Sequence, residues 1–257
     1  MSFATSRKVY DAFMGRYADR LAPLLIAFPG VEPGESVLDV GCGPGSLTEA
    51  LAAHVGAENV AAIDPSEQFA TATAERVPAA DVQVGAAESL PWPDDRFDAA
   101  LAQLVVNFMS DADAGVGEMR RVIRPGGAVA ACTWDYSGGM TMLRTFWDAA
   151  LALDPAAPDE AGTMHFNDPS KLRELWLRVG LEAVETDALV VEASYRDFDD
   201  FWEPFTFAVG PAGSYLRQQD ADRQQAIRDH CFALLGEPSG PFELEARAWY
   251  ARGTVPS

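Results

Sequence analysis

Between residues 36 and 134 the chain alternates short, almost wholly apolar runs with stretches in which apolar positions recur every three to four residues. SVLDV (36–40), NVAAID (59–64), DVQVG (81–85), FDAALAQLVV (97–106) and AVAACTW (128–134) have the length and composition of buried strands. Between the first two, Leu47, Ala50, Leu51 and Val55 fall on one helical face. Pro65-Ser66 opens a second helix with Ser66 placed as its N-cap. Ala112, Val116, Met119 and Ile123 form the inward stripe of a third helix. Its end carries Arg120, Arg121 and Arg124, cations suited to a helix C-terminus, before Pro125-Gly126-Gly127 as a stop. The link AAESLPWPDDR holds two prolines and predicts no long helix. Strands alternating with helices predict an α/β fold: a parallel sheet, covered on both faces and joined by right-handed crossovers.

The flanks extend this unit. A helix over 6–28 sets Phe13, Tyr17, Leu21 and Leu24 on one side, ahead of the core at 35–135. Residues 137–180 and 197–236 read as helical insertions and candidate lids. EAVETDALVVEA (182–193) and FELEARAWYA (242–251) alternate well enough to be late strands. At 257 residues, 48% of them hydrophobic, the chain predicts a single domain with a sizeable core. Acids outnumber bases 39 to 19, for a net charge of −20, so no basic footprint for nucleic acid or an anionic membrane is visible. No apolar run is long enough to span a bilayer, and the first residues lack a signal peptide's apolar core. Cys42, Cys132 and Cys231 are widely spaced and odd in number, which fits a reducing compartment and predicts a cytoplasmic protein.

The informative chemistry follows the first two strands, because ligands of open parallel sheets bind beyond the strands' carboxyl ends. Gly41-Cys42-Gly43-Pro44-Gly45 allows a sharp turn and close approach of a ligand to the backbone, with N–H groups at the helix start beyond it. Asp64 ends the second strand nineteen residues after Gly45, where a carboxylate can accept both hydroxyls of an adenosine ribose. A dinucleotide fingerprint would need a third glycine at 46, which is Ser46.

With Asp39 two residues ahead of the loop, VLDVGCGPG resembles the first motif of class I S-adenosylmethionine-dependent methyltransferases. VGAAESLPWPDDRFD (84–98), AQLVVNF (102–108) and EMRRVIRPGG (118–127) resemble further motifs of the small-molecule branch called type 11. The resemblance implies a Rossmann-like, doubly wound, mostly parallel sheet of about seven strands, the last antiparallel. It implies S-adenosylmethionine as cofactor, held by Asp39, Gly41, Cys42, Gly43, Gly45, Asp64 and Pro65. It places adenine at Ala87 beside Glu88, and the methionine part of the donor near Gln103. Ala86 stands where the family usually has an acid, which removes one side-chain acceptor for the adenine amino group. A looser likeness at FMGRY (13–17) makes Arg16 a partner for the donor's carboxylate and Tyr17 a lid, with packing as Tyr17's equal alternative.

Methyl transfer to a small-molecule acceptor by in-line displacement is the activity so implied. The donor is already an activated electrophile, so alignment and exclusion of water come first, and a general base is needed only for some acceptors. Candidates for such a base are His165, in the GTMHFND loop, and Asp135 and Tyr136 after the fifth strand. No metal site is expected. The alternatives are an NAD(P)-binding oxidoreductase and a non-catalytic donor-binding module, to which Ala86 is the pointer.

Overall fold

A computed structural model describes residues 11–257, and the part of the expected first helix at 6–10 lies outside the described residues. A π-helical turn, Asp11–Gly15, runs into α1, Arg16–Ala27. Then come β1 (Val37–Val40), α2 (Ser46–Val55), β2 (Val60–Asp64), α3 (Glu67–Arg76), β3 (Asp81–Val84), β4 (Phe97–Gln103), α4 (Ala112–Val122) and β5 (Ile123–Trp134). Helices α5 (Thr141–Leu153), α6 (Glu160–Thr163) and α7 (Pro169–Arg178) precede β6 (Glu182–Tyr195). Helices α8 (Phe198–Thr206), α9 (Gly210–Arg217) and α10 (Ala221–Leu234) precede β7 (Phe242–Thr254). Among the described residues no helix is long and apolar enough to cross a membrane.

All seven strands form one sheet in the order β3-β2-β1-β4-β5-β7-β6. The first five pair in parallel. β7 runs against β5: Val255 N donates to Gly127 O (2.9 Å) and Asp135 N to Arg247 O (3.0 Å), so numbering rises on one strand as it falls on the other. This is the expected class, a doubly wound sheet with its last strand antiparallel. Every residue of β1 and β2 is buried, as strands covered on both faces require. Ser66 caps α3 by accepting from Phe69 N (3.4 Å), as its position predicts.

The chain packs as two compact units. The sheet unit comprises 18–133, 166–189 and 248–257; the helical unit comprises 134–165, 190–247 and the described residues 11–17. In the sheet unit Leu38, Val40, Ile63, Phe97, Val116 and Met119 share a core with Trp176, whose indole donates to Val129 O (3.0 Å). In the helical unit Phe146 stacks on Phe205 with 4.7 Å between ring centroids, and Phe201, Tyr195 and Ile227 are buried with them.

Four expectations are corrected. The buried row of α1 runs Tyr17, Leu21, Leu25 at i, i+4 spacing, so Leu25 is buried and Leu24 turns to solvent. β4 stops at Gln103, not 106, because Leu104 takes a left-handed backbone (φ 63°) that breaks the strand. Pro125-Gly126-Gly127 does not end a helix, since β5 begins directly at Ile123. Phe97 pairs with Ile123 and Ala99 with Ala128, so Arg124 to Gly127 bulge out opposite Asp98. Finally, 137–180 is not one insertion: 137–165 belongs to the helical unit, whereas α7 packs in the sheet unit.

That bulge leaves no room beside Gly127, where a Cβ would press on the Asp98 carbonyl oxygen and on Ile123 Cγ2. Gly127→Ala is therefore expected to destabilise the fold by about 1–3 kcal/mol. Gly117, inside α4 with nothing within 4 Å of a Cβ, should instead gain about 0.5–1 kcal/mol as alanine. Denaturant melts of the two variants check both signs.

Candidate active site

Strand order reverses between β1 and β4, the switch point at which open α/β sheets form their ligand crevice. Asp39 of β1 pairs in register with Leu101 of β4, so Gln103, two residues on, lies on the same side of the sheet. Gly41 (φ 74°) and Gly43 (φ 53°) both take left-handed backbone that favours glycine. A Cβ on Gly41 would lie 2.5 Å from Val105 Cγ2, so this glycine admits the chain that follows β4. A Cβ on Gly43 would meet nothing within 4 Å, which leaves that stretch of backbone open to a ligand.

The loop's N–H groups are spent within the protein. Gly41 N and Cys42 N donate to Ile63 O (2.8 and 3.0 Å), and Gly45 N to Cys42 O (3.0 Å). Gly43 N donates to Asp64 Oδ2 (2.9 Å), while Asp64 Oδ1 accepts from Ser66 N (2.8 Å). From α3, Thr73 Oγ1 donates to Gly43 O (2.7 Å). The end of β2 thus holds the loop. Asp39 instead accepts a 2.6 Å hydrogen bond from Thr48 of α2.

What remains unpaired is a set of oxygens. Asp39 Oδ1, Gln103 Oε1 and Ser46 Oγ are buried without a hydrogen-bond partner. Gln103 spends only its amide nitrogen, on Ala18 O (3.1 Å). Burial pushes the Asp39 carboxyl up to about 7, with Thr48 pulling it back and the charge of Asp64 adding to the rise. Burial also raises Asp64, opposed by the Ser66 and Gly43 N–H groups. The Cys42 thiol is pushed well up by burial and by both carboxylates, which makes it a packing group and not a nucleophile.

Past β3, Ala87 is buried in the core and Ala86 and Pro65 are exposed. Glu88 does something the sequence did not suggest. Its Oε1 accepts from Ser110 N (2.7 Å), Ser110 Oγ (2.8 Å) and Asp111 N (3.2 Å), fixing the approach to α4. Against the upward push of burial, these bonds hold its carboxyl below the usual range. The polar Ser110-Asp111 pair just before a helical run was the available signal.

The other candidates belong to the helical unit. Arg16 lies 4.3 Å over the Tyr195 ring and donates to both oxygens of Asp200 (3.4 and 3.5 Å), to Ser194 O and to Ala12 O (3.2 Å each). Tyr17 is fully buried, with its hydroxyl 2.7 Å from that of Tyr195 and its ring edge-on to Trp134. Asp135 is buried against Arg247 (2.6 and 2.9 Å), so its charge is already matched. Tyr136 is buried and His165 is exposed in a turn. Among the described residues no group of three or more His, Cys, Asp or Glu is placed to hold a metal ion.

Residues 38–131 match a family model described as "Methyltransferase domain". The chain is 37% identical over 164 residues to a malonyl-[acyl-carrier protein] O-methyltransferase of Pseudescherichia vulneris, covering 58% of this chain and 62% of that one. It is 36% identical over 134 residues to a ubiquinone/menaquinone biosynthesis C-methyltransferase of Cupriavidus necator, covering 50% and 55%. The chain therefore spans less than two thirds of the length of these curated relatives. In fold it resembles the S-adenosyl-L-methionine complex of phosphoethanolamine N-methyltransferase 2 from Haemonchus contortus. That likeness has a TM-score of 0.58 at 14% identity, over 100% of this chain and 61% of that one. With the glycine loop after β1, the acid ending β2 and the reversal between β1 and β4 all inside the matched segment, residues 38–131 form a methyltransferase domain of the class I, S-adenosylmethionine-dependent kind.

Proposed function

We propose that the chain is an S-adenosylmethionine-dependent methyltransferase acting on a small-molecule acceptor. One observation carries the reading: beside a glycine loop whose own N–H groups are bonded, the crevice offers unpaired side-chain oxygens. The N–H groups of Gly41, Cys42, Gly43 and Gly45 are already bonded, while Asp39 Oδ1 and Gln103 Oε1 stand unpaired. A dinucleotide's pyrophosphate is better served by free loop N–H groups and no facing carboxylate. A cationic ligand with several donors answers this set of oxygens, and an ammonium carries three.

The residues present therefore fit S-adenosylmethionine, which supplies a methyl group on a positively charged sulfur. Asp39 and Gln103 take its ammonium at the switch point. Asp64 retains a second lone pair on each oxygen for the ribose hydroxyls. Gly43 lets the ligand lie against bare backbone, with Gly41, Cys42, Gly45 and Pro65 shaping the bend around it. Ala87 and Glu88 border the adenine, Glu88 by holding the Ser110–Asp111 segment in place. In the helical unit, Arg16, Tyr17, Asp135, Tyr136 and His165 are left as candidates for work on the acceptor. Three free, buried cysteines support a reducing, cytoplasmic setting.

Two outcomes test this site. Asp64→Ala should weaken S-adenosylhomocysteine binding roughly 10–100-fold by calorimetry, the worth of about 1.5–3 kcal/mol for hydrogen bonds to a charged group; unchanged affinity refutes the ribose assignment. The second concerns pH. Asp39 titrates near 7 in the free protein, and a bound cation favours its ionised form. Affinity should therefore rise with pH, by up to about tenfold per unit, until it levels off above the Asp39 value. Asp39→Asn should bind more weakly and lose that slope, and an identical slope in the variant assigns the titration elsewhere.

A further inference from the structure

Glu160, the first residue of α6, is 3% exposed in the helical unit, and sequence reasoning gave it no role. Its Oε2 accepts a 2.7 Å hydrogen bond from the indole Nε1 of Trp147, which is itself buried. The local cation is spent elsewhere. Arg144 directs Nη1 to both oxygens of Asp159 (3.1 and 2.9 Å) and Nε to Asp148 (2.9 Å). The more exposed acids hold the guanidinium, and the most buried one holds a neutral donor. Among the described residues no hydrogen bond reaches Glu160 Oε1.

Burying a carboxylate with no cation hydrogen-bonded to it is costly, and folds tolerate such an arrangement mainly where function needs it. Burial pushes the Glu160 carboxyl up to about 7; Trp147 lowers it, Asp159 adds to the rise and Arg144 opposes it. The surroundings are aromatic. Trp147 meets Phe146 at 5.2 Å and Tyr215 at 5.5 Å between centroids, and Phe146 stacks on Phe205. A buried carboxylate bonded only to a neutral donor, among aromatic faces, is the chemistry that recognises an organic cation.

We infer that Glu160 and Trp147 form the acceptor's binding point, taking the cationic nitrogen of a small, largely apolar amine against Glu160 Oε1 and the neighbouring rings. The inference rests on the methyltransferase reading only in naming this ligand an acceptor.

The test uses 2-phenylethylamine, 2-phenylethanol and phenylacetate, which share a ring and a two-carbon chain and differ in charge. Calorimetry on the full chain, with and without saturating S-adenosylhomocysteine, should give the amine a Kd at least tenfold below that of the alcohol, with phenylacetate weakest. Glu160→Gln leaves an amide oxygen for Trp147 and removes the charge. It should bring amine and alcohol to the same Kd while S-adenosylhomocysteine binding stays unchanged. Trp147→Phe keeps the charge while removing the indole N–H and part of the ring face, so it should bind the amine more weakly yet keep the preference for amine over alcohol. Equal binding of amine and alcohol to the wild type, or a preference that survives in Glu160→Gln, overturns the inference. Failure of S-adenosylhomocysteine to bind overturns the methyltransferase reading instead, and the amine arm is read independently of it.

Discussion

The carboxyl edge of the sheet depends on one buried group, the Asp64 carboxylate at the end of β2. One oxygen holds the glycine loop through Gly43 N and the other holds the start of α3 through Ser66 N. The circuit closes through α3 itself, whose Thr73 hydroxyl returns to Gly43 O. The Gly43 peptide is therefore gripped on both sides, N–H by Asp64 and C=O by Thr73. Two charge-assisted bonds also explain why an acid is tolerated there at all. A loop fixed in this way presents a set backbone surface, and preorganisation of that kind lowers the cost of ordering a ligand.

Much of this edge was legible beforehand because it rests on local rules. Short apolar runs placed β1 and β2 to within a residue, period-3.6 spacing and an N-cap placed α2 and the start of α3, and the spacing from Gly45 to Asp64 located the acid. What escaped depends on contacts distant in sequence. The end of β4 is set by left-handed backbone at Leu104, a conformation that leucine itself does not signal. The four-residue excursion in β5 exists only against Asp98 on the neighbouring strand, so its Pro-Gly-Gly reads locally as a terminator. The arginine that neutralises Asp135 comes from β7, more than a hundred residues downstream. Trp176 joins the sheet unit's core from a segment that periodicity alone would assign to a peripheral helix.

The buried acids of this chain differ less in position than in what their environment leaves over. Asp135 has a guanidinium on one oxygen and Ser137 N on the other, so its lone pairs and charge are largely used. Asp64 has two N–H partners and spare lone pairs, fit for a neutral diol. Asp39 keeps one buried oxygen with no partner, and the side chain of Glu160 is hydrogen-bonded only to a neutral indole. On paper Asp39 was a candidate for the cofactor and Asp135 for a general base, both from places at strand ends. Residual valence separates them, because a group already satisfied gains little from a ligand, whereas one left short makes its ligand's donor worth the full cost of its burial. By that measure the two short-changed carboxylates, one in each unit, are where this chain demands positive charge.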